Sequence, residues 1–151
     1  MTLLLVGLGL LLVFGFVEVA GASTGGAQRL AAAIEVAEGY GVADARPTRN
    51  NNPGDLMNWP GSGFPSDSAG YVAFPDYQTG FSYLLAKCQA ILTGTDPAVS
   101  ELAQQEFGVA NTASLTIGQL AQIYSPAGAN NWAANVSAEL GVSEDTAIGT
   151  L

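Results

Sequence analysis

The sequence predicts a mainly α fold: about five helices around a loop-rich middle, one small β element, and a hydrophobic helix at the N-terminus. Three observations carry this expectation. Apolar residues recur at helical spacing in several separate stretches, capping residues and glycines stand at the ends of those stretches, and only residues 70–74 have the composition of a strand. At 151 residues the chain has the length of one domain.

The elements follow in order. Residues 2–17 hold no charge and residues 3–22 hold only Glu18, so as a helix this stretch would extend about 30 Å, enough to cross a bilayer. Residues 1–22 are therefore expected to be a membrane anchor. A cleaved signal segment is the alternative suggested by Ala20-Gly21-Ala22, although the first basic residue is Arg29, too late for a positive leader; a buried core helix is a third reading. Cleavage would leave a secreted domain, retention a membrane-anchored one. Residues 23–28 are small and read as a flexible linker, which leaves residues 29–151 as the folded domain.

Within that domain, Leu30, Ala33, Ile34 and Ala37 line one helical face over residues 27–39, with Gly39 as terminator. Residues 40–65 are rich in Asn, Pro and Gly and lack a useful helical period. Irregular segments of this length are uncommon in compact domains unless they carry function. In the short strand that follows, Tyr71 and Phe74 have opposite parity, so only one can face a given side. Asp76 precedes a helix over residues 77–92 closed by Gly94, and Asp96 with Pro97 opens another over 97–107. Thr116 and Gln119 have the spacing of a capping box for a helix to residue 124, and residues 129–140 form the last, closed by Gly141.

Composition restricts the chemistry. There is no histidine and only one cysteine, so nucleophiles paired with His, the usual Cys/His zinc sites and an intrachain disulfide are excluded. No metal and no cofactor is expected. A formal charge of -9 and a pI of about 4.1 argue against a nucleic-acid partner, which would need clustered Lys and Arg. Cys88 lies in an apolar run and reads as a buried small hydrophobe. Acid-base work must rest on carboxylates.

Two of these, Glu35 and Glu38, share the first helix of the domain. At about 100° per residue, Glu38 lies about 40° from Ile34 and edges the apolar face, whereas Glu35 lies about 100° away and points toward water. A carboxyl against apolar packing has its charged form disfavoured, which suits a general acid near neutral pH. Glu38 also stands directly before Gly39, at the edge of the irregular segment. Taken alone, the pattern favours the plainer reading of two solvated helix charges. Asp44 and Asp55 are the nearest further carboxylates, and neither sits in a recognisable catalytic context. The run Arg49-Asn50-Asn51-Asn52-Pro53-Gly54 offers amides that donate and accept at once, fit for sugar hydroxyls and N-acetyl groups or for fixing a turn. Trp132, with Val136 and Leu140 on its helix face, reads as core; Trp59 could serve either core or sugar.

Ala37-Glu38-Gly39-Tyr40, the Arg49-to-Leu56 run, Val72-Ala73-Phe74-Pro75 with Thr79-Gly80, and Tyr124-Ser125-Pro126 with Asn130-Asn131 and Leu140-Gly141-Val142 stand in a telling order. In this order they resemble a phage-associated muramidase group, similar to the lytic transglycosylases of the lysozyme-like superfamily. The resemblance spans roughly residues 30–145. It implies an α+β lysozyme-like fold around a glycan cleft and peptidoglycan strands as partner. It also implies cleavage of the β-1,4 bond between N-acetylmuramic acid and N-acetylglucosamine. Glu38 would be the catalytic acid, Asn51, Asn52, Gly54 and Asn131 would contact substrate, and Tyr124 would do so while facing the acid. Asp55 stands where Asn is more usual in the group, and Gly54-Asp55-Leu56-Met57-Asn58 replaces its Gly-Leu-Met-Gln. A lone glutamate suits the transglycosylase route better than paired-carboxylate hydrolysis. The alternative is a non-catalytic, membrane-anchored virion or envelope protein that binds glycan.

Overall fold

A computed structural model describes residues 21–151; the expected anchor falls almost wholly on residues 1–20, outside the described residues. Among the described residues the fold is all α, with six helices: α1 (Gly21–Ala37), α2 (Arg46–Arg49), α3 (Tyr77–Thr93), α4 (Pro97–Phe107), α5 (Ile117–Tyr124) and α6 (Ala129–Leu140). None of them is long and apolar enough to cross a membrane.

The central helix, α1, packs against α3 and α6, and α5 packs against α6. Its face Leu30, Ala33 and Ile34 is fully buried, as the spacing predicts. Leu84, Cys88 and Ile91 of α3 meet it from one side, and Trp132, Ala133 and Val136 of α6 from the other. Burial pushes the Cys88 thiol up to about 12, so it behaves as the small hydrophobe expected. The C-terminal segment closes on this core: Ile148 is fully buried, and its amide donates to the Leu115 carbonyl at 2.9 Å.

Caps fix where the helices start and stop. Asp76 accepts from the Thr79 amide, Asp96 from the Val99 amide, and Thr116 forms the full capping box with Gln119. Gly94, Gly108 and Gly141 end their helices in the left-handed conformation. Buried Asp96 also pairs with Lys87, which ties α4 to α3.

Three expectations are corrected. The linker over residues 23–28 is helical, because α1 begins at Gly21. Ala27 is fully buried, and a Cβ at Gly26 would meet the Leu151 backbone at 3.3 Å, so packing against the C-terminal turn outweighs the poor helix propensity of glycine. The strand expected over residues 70–74 is not one: among the described residues there are only isolated bridges, Met57 to Tyr71, Ser66 to Val72 and Thr116 to Ala147. Ala73 donates to the Pro65 carbonyl, and Pro65 has no N–H with which to return the bond, so the ladder stops after one rung. The long loop also contains the single turn of α2, with Pro47 in its first turn, too short to leave a period in the sequence.

The loop lies directly on α3. A Cβ at Gly80 would stand 1.9 Å from the Asn51 carbonyl oxygen, so only glycine lets the helix pass at this point.

Candidate active site

Glu38 sits in the turn that closes α1, where its amide still donates to the Ile34 carbonyl at 2.8 Å, before Gly39 turns the chain out with φ +77. Its side chain is directed at α6: the Trp132 indole N–H donates to Glu38 Oε1 at 2.8 Å. Burial raises the Glu38 carboxyl from the usual 4.5 to about 7. The Trp132 hydrogen bond, which favours the carboxylate, opposes that rise; the nearby Asp55 charge adds to it and Arg46 subtracts. Such a carboxyl is about half protonated at neutral pH, poised to give and retake a proton. Glu35, one turn earlier, instead accepts from the Tyr77 hydroxyl at 3.2 Å on the aromatic side formed by Tyr40, Tyr77 and Phe81.

Trp132 also carries the link to the loop. Its ring stacks on Tyr124, centroids 5.2 Å apart at 28°, and the Tyr124 hydroxyl donates to the Gly54 carbonyl at 2.8 Å. Burial holds the Tyr124 hydroxyl well above its ordinary range, so it stays a donor. Tyr124 is thus joined to Glu38 through the Trp132 ring. A Cβ at Gly54 would come within 2.7 Å of Leu84 Cδ1 and 3.1 Å of the Tyr124 hydroxyl. Gly54 therefore allows the loop to seat under Tyr124, a packing role.

The chain matches no family model, no curated protein and no solved structure.

The amides divide by their partners. Asn52 is fully buried; its Nδ2 donates to the Leu56 and Val72 carbonyls and its Oδ1 accepts from the Leu56 amide. Its amide group is fully used within the protein, which corrects the expectation that it binds substrate directly. Asn51, half-buried with φ 49, donates to the Phe74 carbonyl. Asn50 donates to Asp67 and its carbonyl receives the Phe74 amide, the turn role expected of it. Asn131 is exposed and lines a separate recess of about 320 Å³ with Pro126 and Asn130.

A groove of about 610 Å³ is lined by the loop through Gly54 and Asp55 and by α5 through Tyr124. Glu38 itself does not line it. Its walls are mostly apolar and include Met57, 63% exposed, and Trp59, which packs on Tyr83 at 5.5 Å. Trp59 thus lies at the groove wall and outside the buried core. Asp55 projects into this region from a left-handed turn, φ 46, with its carboxylate gripped by Arg46 through Nε and a terminal nitrogen.

Two contributors escaped the sequence reading. The spacing of Trp132 places it in the core, where it is 3% exposed; what spacing does not show is that a buried indole N–H needs an acceptor, and the acceptor is Glu38. Arg46 left one signal, as half of the only pair of closely spaced basic residues in an acidic chain.

Proposed function

We propose that the protein cleaves the β-1,4 bond between N-acetylmuramic acid and N-acetylglucosamine in peptidoglycan, with Glu38 as its acid and base, as a lytic transglycosylase. The observation that carries the reading is a carboxyl pushed up to about 7 by burial at the end of α1, at the position where the sequence resembles a muramidase. Protonated Glu38 donates to the glycosidic oxygen, the C1–O bond breaks, and positive charge develops at C1. Glu38, now a carboxylate, takes the proton of the muramic acid 6-hydroxyl as that oxygen attacks C1, closing a 1,6-anhydro ring. A hydrolase of the paired type needs a second carboxylate free to work, about 5 to 9.5 Å from the first. Asp55 accepts Arg46 on both of its oxygens, which favours the route with one carboxyl. Peptidoglycan strands are the partner, and residues 1–22 would hold the domain at a virion membrane or bacterial envelope.

The second reading, a non-catalytic envelope or virion protein that holds glycan, draws on the internal use of the amides of the loop and the separation of Asn131 from the groove. Mass spectrometry of digested sacculi separates the possibilities. Products lighter than hydrolysis products by one water indicate the anhydro route, reducing ends alone indicate hydrolysis, and sedimentation with sacculi without release indicates binding only.

A further inference from the structure

The fold uses its two tryptophans differently. Trp132 is buried and spends its indole N–H on Glu38, whereas Trp59 is exposed and no group among the described residues takes its N–H. Trp59 packs on Tyr83, also exposed, whose hydroxyl is likewise unused among the described residues. Two further rings brace Tyr83: Phe74 stacks on it at 5.3 Å and 26°, and Phe64 meets it edge-on at 5.4 Å and 87°. Rings held this firmly lose little freedom when a ligand lies on them. Met57 and Leu102, both exposed, line the same groove, and apolar side chains gathered in one place mark a binding surface where scattered ones do not.

The charges of the groove decide what kind of ligand fits. Each charged side chain in its wall is paired with one of opposite sign, Asp55 with Arg46 and Lys87 with Asp96. In a chain of formal charge -9 the groove is therefore balanced, which matches a neutral ligand better than a cation or an anion. Lys87 gives one N–H to Asp96 and keeps others for hydroxyl or acyl oxygens. A pyranose ring presents a face of C–H groups to the electron-rich faces of aromatic rings, and hydroxyls at its edge. In a peptidoglycan strand the neutral unit is N-acetylglucosamine, since muramic acid carries the stem. Glu38 does not line this groove; the path from its wall to the acid runs through the Tyr124 ring and Trp132. Resting on glycan as the partner, we propose that the groove is a holding site for the strand, separate from the acid, in which Trp59 and Tyr83 stack on an N-acetylglucosamine unit and Lys87 meets its polar edge.

The test uses the full chain carrying Glu38→Gln, so that the strand is held and not cut, with a soluble β-1,4 oligomer of N-acetylglucosamine and purified sacculi as probes. The oligomer should shift the tryptophan emission, a shift lost in Trp59→Phe, and should displace the protein from sacculi. Trp59→Ala should weaken both affinities about tenfold or more, and Trp59→Phe, which keeps a ring, about threefold. Tyr83→Phe, which removes only the hydroxyl, should cost about threefold, and it decides if Trp59→Ala does not fold. Affinities unchanged by these substitutions, or an emission shift with phosphatidylcholine vesicles and none with the oligomer, overturn the proposal. If wild type clears peptidoglycan while Trp59→Ala leaves binding intact, the groove assignment fails alone. If Glu38→Gln binds neither probe and wild type clears nothing, the glycan reading fails with it.

Discussion

In the layer formed by α1, α3, α5 and α6, the fully buried side chains include Leu30, Ile34, Leu84, Ile91, Leu120 and Val136, and Trp132 adds a polar tip to this apolar set. Between Gly39 and Pro75 the proportions reverse. Asn50, Asn51, Asn52, Asp55 and Asp67 each spend a side chain on another part of the same segment, and the segment has little apolar core beyond Val72 and Phe74. One region is closed by area removed from water, the other by directed bonds between specific partners. Glu38 lies at their seam. From the helices it takes the burial that raises its proton affinity, and from the loop it takes the charges that adjust it.

Truncating each region should expose the contrast. Leu30→Ala should lower stability by about 3 to 4 kcal/mol, read by urea unfolding, while amide exchange in the loop and activity per folded molecule stay as in wild type. Asn52→Ala should cost about 3 kcal/mol by leaving the Leu56 amide and the Leu56 and Val72 carbonyls without their partner, and it should also speed amide exchange in residues 54–73. A cost below about 1 kcal/mol, or unchanged exchange in the loop, would refute the view that directed bonds close this segment.

At the seam the expected effect is smaller and changes sign. Glu38 has a folded value of about 7 against 4.5, so the fold prefers its protonated form. Its contribution is whole below the unfolded value and is lost as pH rises toward the folded one. Glu38→Gln, still able to accept from Trp132, should therefore be more stable than wild type at pH 8 by about 2 kcal/mol once solvent around the half-buried carboxyl is allowed for, with the advantage fading by about pH 4. Unfolding curves at the two pH values check it, and an equal difference at both would contradict the linkage. Last, Thr116→Ala removes one capping box from the helical layer and should cost about 1 kcal/mol without touching the loop.

The same contrast explains what could be read from sequence. The bounds of α4 and α6 and the start of α5 follow from Asp96 and Pro97, from Gly141, and from Thr116 with Gln119, because caps and period act between residues three or four apart. Glu38 was legible for the same reason, as helix phase sets it at the edge of the Ile34 face. The loop was not, because its bonds join residues far apart: Asn50 with Asp67, Asn52 with Val72, Asn51 with Phe74. Nor was the start of α1, whose supporting contact is Leu151 at the other end of the chain. The bond from Trp132 to Glu38 spans 94 positions, and a period shows which face a residue takes but not what its polar atom meets.

The central claim is that Glu38 is the acid that breaks a glycosidic bond. Clearing of a purified peptidoglycan suspension, followed for wild type and Glu38→Gln at pH 6 and matched folded concentration, tests it most directly. The account predicts that wild type clears the suspension and that Glu38→Gln is slower by about 10³-fold, the scale of a lost general acid. Clearing by Glu38→Gln at the wild-type rate, or none by wild type, would contradict it.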